Sequence, residues 1–102
     1  MVSDTEVPEI GRVAQSIAGR DAGRCFVIID VMEDGYVMVA DGSLRKMDRP
    51  KKKKLKHLIL KPVVIPIVKE RLSSKDRLFD YEVRSHLESL GYNEGAKIRD
   101  ND

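Results

Sequence analysis

Short apolar runs separated by turn residues lie along positions 10–61 of the chain. Residues 13–17 alternate between two sets of side chains, as in a strand with one buried face, while residues 25–31 form a continuous β-prone run too short for a helix. Three further runs complete a set of five predicted strands, at residues 36–40, 44–47 and 55–60. Short strands with closely spaced turns indicate a small barrel or sandwich, and a barrel removes exposed sheet edges.

Two Asp-Gly pairs separate these runs, at residues 34–35 and 41–42. Glycine adopts a positive φ without a steric penalty, and Asp-Gly is therefore a strong signal for a tight turn. Both pairs predict turns within the β-rich part of the chain.

The pattern changes after residue 61. Pro62 and Pro66 disfavour helix at the residues before them, so this segment is predicted to be extended. From about residue 74 to residue 90 the apolar positions recur with a helical period. The predicted stripe consists of Leu78 or Phe79, Val83, Leu87 and Leu90.

We therefore predict three parts: a flexible lead-in at residues 1–9, a barrel at residues 10–61 and an extension at residues 62–102. The extension comprises a linker, the helix at about 74–90 and a polar tail. Ser73 and Ser74 are candidate N-caps for this helix. Its apolar stripe is expected either to pack on the barrel or to face a partner.

The net charge of the 102-residue chain is only +2, but the charge is unevenly distributed. Residues 45–61 contain nine basic residues and one acidic residue, a local excess of +8. Charge of one sign on a short segment creates a local field that the average over the chain conceals. This excess predicts a polyanionic partner.

Composition excludes several other classes. The single Cys25 forms no internal disulfide, and Cys25, His57 and His86 are too few and too scattered for a structural zinc site. No apolar run is long enough to span a membrane, and the N-terminal residues lack the layout of a signal peptide. We expect a cytoplasmic protein with no metal, no cofactor, no membrane association and no small-molecule substrate.

A glycine-bracketed loop follows the first predicted strand. Gly19 and Gly23 allow sharp turns, while Arg20 and Arg24 present planar guanidiniums suited to phosphate oxygens. The simpler alternative is a solvated turn with two surface arginines. A nucleotide-binding P-loop is excluded, because the Gly-Lys-Ser/Thr ending is missing and a strand follows where a helix is required.

The second candidate site is the basic segment that precedes the fifth predicted strand. Its lysine run is expected to join two strands, so that the scaffold holds the charges in place, although such a run also occurs as a solvated face. Basic loops bind phosphates with good affinity but little sequence selectivity. For His57 a nucleic-acid contact and a structural role are both open. The predicted contacts are Arg45, Lys46, Arg49, Lys51, Lys52, Lys53, Lys54, Lys56 and His57.

Evidence for an enzyme is weak. Cys25 opens an apolar strand, where a free cysteine usually behaves as a small hydrophobic residue. No further catalytic signature accompanies it. We therefore predict no catalytic residues.

Together these segments resemble a known motif. The sequence Ala18-Gly-Arg-Asp-Ala-Gly-Arg24, followed by a β-branched strand ending in Asp30-Val31, resembles the KOW motif of certain archaeal and eukaryotic large-subunit ribosomal proteins. The resemblance to short bacterial KOW-domain RNA-binding proteins is stronger still, since theirs continues with segments like Val39-Ala-Asp-Gly42 and Pro50–Leu58. The resemblance covers residues 10–60 and no part of residues 62–102.

The resemblance implies a mainly β fold, an SH3-like (KOW-type) small β-barrel, to which the pattern above adds a C-terminal α-helical extension. It also implies RNA binding and a connection with ribosomes or translation, with RNA contacts in the loop around Gly23 and in the basic segment. Few aromatic residues are available for base stacking, which favours recognition of the backbone of ribosomal or other structured RNA.

The rival hypothesis is a protein-interaction module, because SH3-like barrels often bind proteins. The lysine run would then dock an acidic protein surface, and residues 63–68 with the C-terminal helix would supply an apolar interface. Both hypotheses hold together if the helix contacts a ribosomal or translation protein while the basic segment binds RNA.

Overall fold

A computed structural model describes residues 7–93 of the chain, in which five strands precede two helices. The elements are β1 (Arg12–Ser16), β2 (Cys25–Val31), β3 (Tyr36–Ala40), β4 (Lys51–Lys54), β5 (Leu58–Val64), α1 (Pro66–Ser73) and α2 (Asp80–Ser89). Most of the predicted lead-in, residues 1–6, and nearly all of the predicted polar tail, residues 94–102, lie outside the described residues.

The five strands form one antiparallel sheet in the order β4-β3-β2-β1-β5. A single 3₁₀ turn, Leu55–His57, connects the two outer strands β4 and β5. Backbone hydrogen bonds fix this turn, because Leu55 N donates to Gly35 O at 2.9 Å and Ile17 N donates to His57 O at 3.0 Å. The predicted fold class, a mainly β SH3-like barrel with a C-terminal helical extension, is confirmed.

Strand β1 and the first half of β2 are buried on both faces. Ala14, Phe26 and Ile28 point into the barrel with Val37, Val39 and Leu58. The alternate residues Val13, Cys25 and Val27 pack outside the barrel, against a second cluster that includes Ile65, Val68, Leu78, Val83 and Leu87. Burial on both faces explains why the apolar run of β2 shows no alternation with polar residues.

The fourth strand is not where the sequence pattern placed it. Residues 44–47 belong to a turn, since the buried Asp41 carboxylate accepts hydrogen bonds from Ser43 N and Arg45 N at 2.9 and 2.8 Å. The lysine run itself forms β4, paired with β3 along its whole length. Lysine is a poor strand former, but pairing with a neighbouring strand outweighs this local preference. The prediction that the run joins two strands is therefore wrong.

The fifth strand begins later than expected and includes Pro62. A proline is tolerated there because β5 is the outer strand of the sheet and pairs only with β1. Not every residue of such a strand has to donate a backbone N–H to a neighbour. The predicted extended conformation of residues 61–66 holds as far as Ile65.

The extension contains two helices instead of one. Pro66 begins α1, a position in which its missing N–H costs nothing. Ser73 ends this helix and Ser74 caps its C-terminus, so neither residue is the predicted N-cap of the second helix. That helix starts at Asp80, and the Phe79 amide donates to Glu82 Oε1 at 3.1 Å.

Helix α2 is anchored on the Asp41-Gly42 turn. Gly42 has φ +78°, and a Cβ there would lie 2.2 Å from Asp80 O. Arg84 Nη1 donates to Gly42 O at 2.8 Å, and the Met47 amide donates to Asp80 Oδ1 at 2.7 Å. The turn therefore requires glycine both for its backbone conformation and for the close approach of α2.

Candidate nucleic-acid interface

The glycine-bracketed loop uses both glycines in left-handed conformations. Gly19 has φ +82° and Gly23 has φ +92°. The Gly23 amide donates to Ser16 O at 2.7 Å, which closes the loop onto the end of β1. Arg20 is exposed at the tip. The predicted backbone role of the two glycines follows from these φ values.

The four lysines of β4 point alternately to two sides. Lys51 and Lys53 pair with Val39 and Val37 of β3, while Lys52 and Lys54 pair with Met38 and Tyr36. Side chains alternate along a strand, so Lys53 points to the buried side with Val37. Lys52 and Lys54 are exposed on the outer side.

Lys53 is bound within the protein. Its side chain is 7% exposed, and Nζ donates to Asp21 Oδ1 at 2.8 Å, to Ser16 Oγ at 3.0 Å and to Ala18 O at 3.3 Å. These contacts occupy the three donors of the ammonium group. Lys53 therefore ties β4 to the glycine-bracketed loop across the barrel.

Asp21 is the partner that makes this burial tolerable. Burial alone would raise the pKa of Asp21, but hydrogen bonds from Lys53 and Ser16 and the charges of Lys53 and Lys51 lower it below its ordinary value. Lys51 Nζ lies 3.6 Å from Asp21 Oδ2. The carboxylate is thus held in its charged form.

Arg24 is likewise engaged. Its Nε donates to Asp41 Oδ2 at 2.5 Å, with 11% of the Arg24 side chain and none of the Asp41 side chain exposed. The same carboxylate accepts the two amides of its own turn. Arg24 therefore holds the Asp41-Gly42 turn on which α2 rests.

The structure brings parts of the two predicted segments together in an open groove of about 230 Å³. Arg20, Arg45 and Lys51 line it, together with Asp21 and the apolar side chains of Phe26 and Leu44. We call this the basic groove. Arg20 and Arg45 are exposed, so their guanidiniums are available to a ligand in it.

A second basic surface surrounds Tyr36. Lys52 Nζ lies 4.7 Å and Lys54 Nζ 5.9 Å from the centre of the Tyr36 ring. Lys54, Tyr36 and the exposed Lys56 also line a recess of about 470 Å³ at the turn after β2. We call Tyr36, Lys52, Lys54 and Lys56 the lysine–tyrosine patch. The ammonium groups of Lys52 and Lys54 lie over the ring, and both side chains still face solvent.

The remaining predicted contacts lie beside these surfaces. Lys46 and Arg49 are exposed in the turn before β4, which the Arg49 amide closes by donating to Lys46 O at 3.0 Å. His57 is half-buried in the 3₁₀ turn, where its carbonyl accepts the Ile17 amide at 3.0 Å.

Sequence reasoning missed an exposed aromatic cluster at the start of α2. The rings of Phe79 and Tyr81 are stacked with their centres 5.7 Å apart and their planes inclined by 22°. The Arg77 guanidinium lies 4.8 Å from the Phe79 ring centre. The helical pattern allowed either Leu78 or Phe79 in the core, and Leu78 occupies it, 7% exposed. Phe79, Tyr81 and Arg77 are called the aromatic cluster below.

Thiol chemistry and metal binding would depend on two features of the described residues, the state of the Cys25 thiol and the grouping of metal-ligand side chains. Burial raises the pKa of the Cys25 thiol, which keeps it protonated at neutral pH. Within residues 7–93 no three side chains of His, Cys, Asp or Glu come together in a potential metal site. No helix in this part of the chain is long and apolar enough to cross a membrane.

Comparison with known proteins gives a consistent result. The chain is 29% identical over 91 residues to large ribosomal subunit protein eL14 of Saccharolobus islandicus, covering 89% of this chain and 88% of that protein. The chain is similar to eL14. The eL14 of Desulfurococcus amylolyticus is 38% identical over 50 residues, covering 49% of this chain and 52% of that protein. No protein-family model matches the chain.

The resemblance to large-subunit ribosomal proteins, inferred above from motifs within residues 10–60, is confirmed by these similarities. The match to eL14 of S. islandicus spans 91 residues and therefore extends beyond the barrel into the helical extension. Residues 62–102 thus have a counterpart in part, which the motifs alone did not show.

Proposed function

We propose that this chain is a ribosome-associated RNA-binding protein. It binds the phosphate backbone of structured RNA through the basic groove and the lysine–tyrosine patch. The observation that carries the proposal is the similarity to eL14, named as a large ribosomal subunit protein, over 89% of the chain. The exposed cations on and around β4 are the groups that would bind the phosphates.

Seven of the predicted contacts have exposed side chains: Arg20, Arg45, Lys46, Arg49, Lys52, Lys54 and Lys56. These are the residues that we propose bind phosphates. Lys53 and Arg24 are assigned a structural role instead, since their charges are already matched by buried carboxylates. Lys51 belongs fully to neither group, because its side chain is partly exposed and its ammonium group lies near Asp21.

Phosphate binding by these residues has a measurable signature. Each bound phosphate releases condensed cations, so the logarithm of the binding constant falls linearly with the logarithm of the salt concentration. If about five cations engage, the log–log slope is on the order of −3 to −4, with the single-strand coefficient as a lower bound. Such contacts fix position on the RNA but do not by themselves select a sequence.

The rival hypothesis of a protein-docking helix has lost part of its basis. Val83 and Leu87, the centre of the apolar stripe on α2, are buried in the core with Val68 and Ile65. A charged residue at Val83 would therefore unfold the extension and would not report on a partner. This part of the stripe is already covered by the barrel and by α1, whereas Leu90 at its end is exposed.

The experiment is a titration of the protein with ribosomal RNA and with a double-stranded DNA of equal length across a range of salt. We expect tighter binding to the RNA and a steep negative salt slope. Equal affinity for the two polymers would reduce the basic surfaces to a generic charge patch, and affinity that does not change with salt would contradict phosphate binding.

A further inference from the structure

The aromatic cluster stands out because its rings remain in solvent beside a well-filled core. Phe79 is 42% exposed and Tyr81 is 58% exposed, whereas Phe26 is fully buried. Among residues 7–93 no other aromatic side chain is exposed. Two stacked rings and an adjacent guanidinium present flat surfaces that water solvates poorly and that another flat group can cover.

The cluster is held next to the turn that carries three exposed cations. Met47 in that turn donates its amide to Asp80 Oδ1 at 2.7 Å, between the two aromatic residues in sequence. A groove of about 280 Å³ separates the turn from the cluster. It is lined by Met47, Asp48, Arg77, Leu78, Phe79 and Asp80. The exposed cations of this turn are Arg45, Lys46 and Arg49. Lys46 and Arg49 adjoin the groove-lining Met47 and Asp48 in sequence, while Arg45 lines the basic groove.

This arrangement combines the two features that single-stranded nucleic acid requires. Bases stack on aromatic rings and on guanidinium planes, and the backbone that carries them follows a positive surface. The neighbouring cations favour a polyanion over an apolar protein surface. We infer that the aromatic cluster is a stacking site for an unpaired RNA base whose flanking phosphates are bound by Arg45, Lys46 and Arg49.

The inference rests on the proposed function and adds the class of RNA. The target contains an unpaired nucleotide next to the helical segment whose backbone the basic groove and the lysine–tyrosine patch bind. Asp48 is consistent with this orientation. Its exposed carboxylate lines the groove and repels phosphate, so the groove takes the neutral base while the backbone lies toward the cations.

The test compares two RNA probes of equal charge. Both are short duplexes with a single-stranded tail, made of adenosines in one probe and of abasic riboses in the other. The 102-residue chain is expected to bind the adenosine tail about tenfold more tightly, because each stacked base contributes appreciably to affinity. Tyr81→Ala should abolish this discrimination, and Tyr81→Phe should keep it. Leu90→Ala, an exposed apolar residue at the other end of α2, is the matched control.

Each outcome decides between the two proposals. Equal binding of both probes by the wild-type protein, with a steep salt slope, would overturn the stacking site and leave phosphate binding intact. Discrimination that survives Tyr81→Ala would also overturn it and would leave the cluster to a protein partner. Failure of the wild-type protein to bind either probe at low salt would overturn the proposed function and the stacking site together. Thermal unfolding of each variant shows whether it is folded.

Discussion

Two sets of basic side chains on neighbouring positions of this barrel differ completely in their surroundings. Arg24 and Lys53 are almost entirely buried, each against a carboxylate, while Lys52 and Lys54 on the same strand as Lys53 are exposed around Tyr36. The sequence presents all four as candidate RNA contacts. The fold divides them into charges that stabilise the protein and charges that are available to a partner.

The difference arises from the alternation of side chains along β4. Adjacent lysines point to opposite sides, so only every second residue of the run reaches solvent on the outer side. Substituting the whole run with alanine would therefore mix a loss of stability with a loss of binding. Single substitutions chosen by side separate the two effects.

Arg24→Ala is expected to have the largest effect on stability. It leaves the fully buried Asp41 carboxylate without its guanidinium partner, and breaking a buried ion pair from one side costs about 3–5 kcal/mol. Urea denaturation of Arg24→Ala and of the exposed control Arg45→Ala measures this difference. A variant as stable as the wild type that binds RNA poorly would move Arg24 into the interface.

Lys53→Met is expected to lower the free energy of unfolding by about 2–3 kcal/mol. This loss is smaller than that of Arg24→Ala, because Asp21 is partly exposed and keeps Lys51 as a neighbouring cation. Lys52→Met, one position away, should change stability by less than about 0.5 kcal/mol. The same denaturation measurement compares them. Asp21→Asn combined with Lys53→Met should recover part of the loss, since no uncompensated charge is then buried.

Acidic pH should destabilise the ion pair between Lys53 and Asp21, because protonation removes the charge of the carboxylate. The pKa of Asp21 lies below its ordinary value in the folded protein, as do those of Glu9, which pairs with Lys69 and Arg12, and of Glu82, which pairs with Arg71. The stability that these carboxylates contribute is therefore present above their unfolded pKa values of about 4 and is lost as the pH falls through the lower folded values. Thermal unfolding between neutral and strongly acidic pH should show this loss, and Asp21→Asn should reduce its steepness. A melting temperature that is constant down to strongly acidic pH would contradict the role assigned to Asp21.

Much of the fold could be predicted because the relevant signals are local. Strands at residues 25–31 and 36–40 and the Asp-Gly turns follow from β propensity and from glycine at positive φ. The resemblance to a KOW motif supplied the barrel. The strand at Lys51–Lys54 could not be predicted, because its formation depends on pairing with β3 and not on any preference of lysine.

The candidate site was predicted as a set of residues but not as a geometry. Composition identified the basic segment, yet nothing in the order of four lysines shows which one meets Asp21. The aromatic cluster was missed for a related reason. Phe79 and Leu78 are both compatible with the helical stripe, and only the packed core shows that Leu78 is inside.

The most direct test of the account is the salt dependence of RNA binding by two variants of equal net charge. Lys52→Gln/Lys54→Gln removes two exposed charges from the lysine–tyrosine patch, and Lys69→Gln/Lys75→Gln removes two exposed charges from α1 and the turn that follows it. We predict that the first variant binds ribosomal RNA about tenfold more weakly near physiological salt, with a log–log slope shallower by about 1.4–1.8, and remains as stable as the wild type. The second variant should lose only a small amount of stability, because Lys69→Gln breaks the exposed ion pair with Glu9. Equal losses in the two variants would show that only net charge matters, and would contradict a defined phosphate-binding surface on β4.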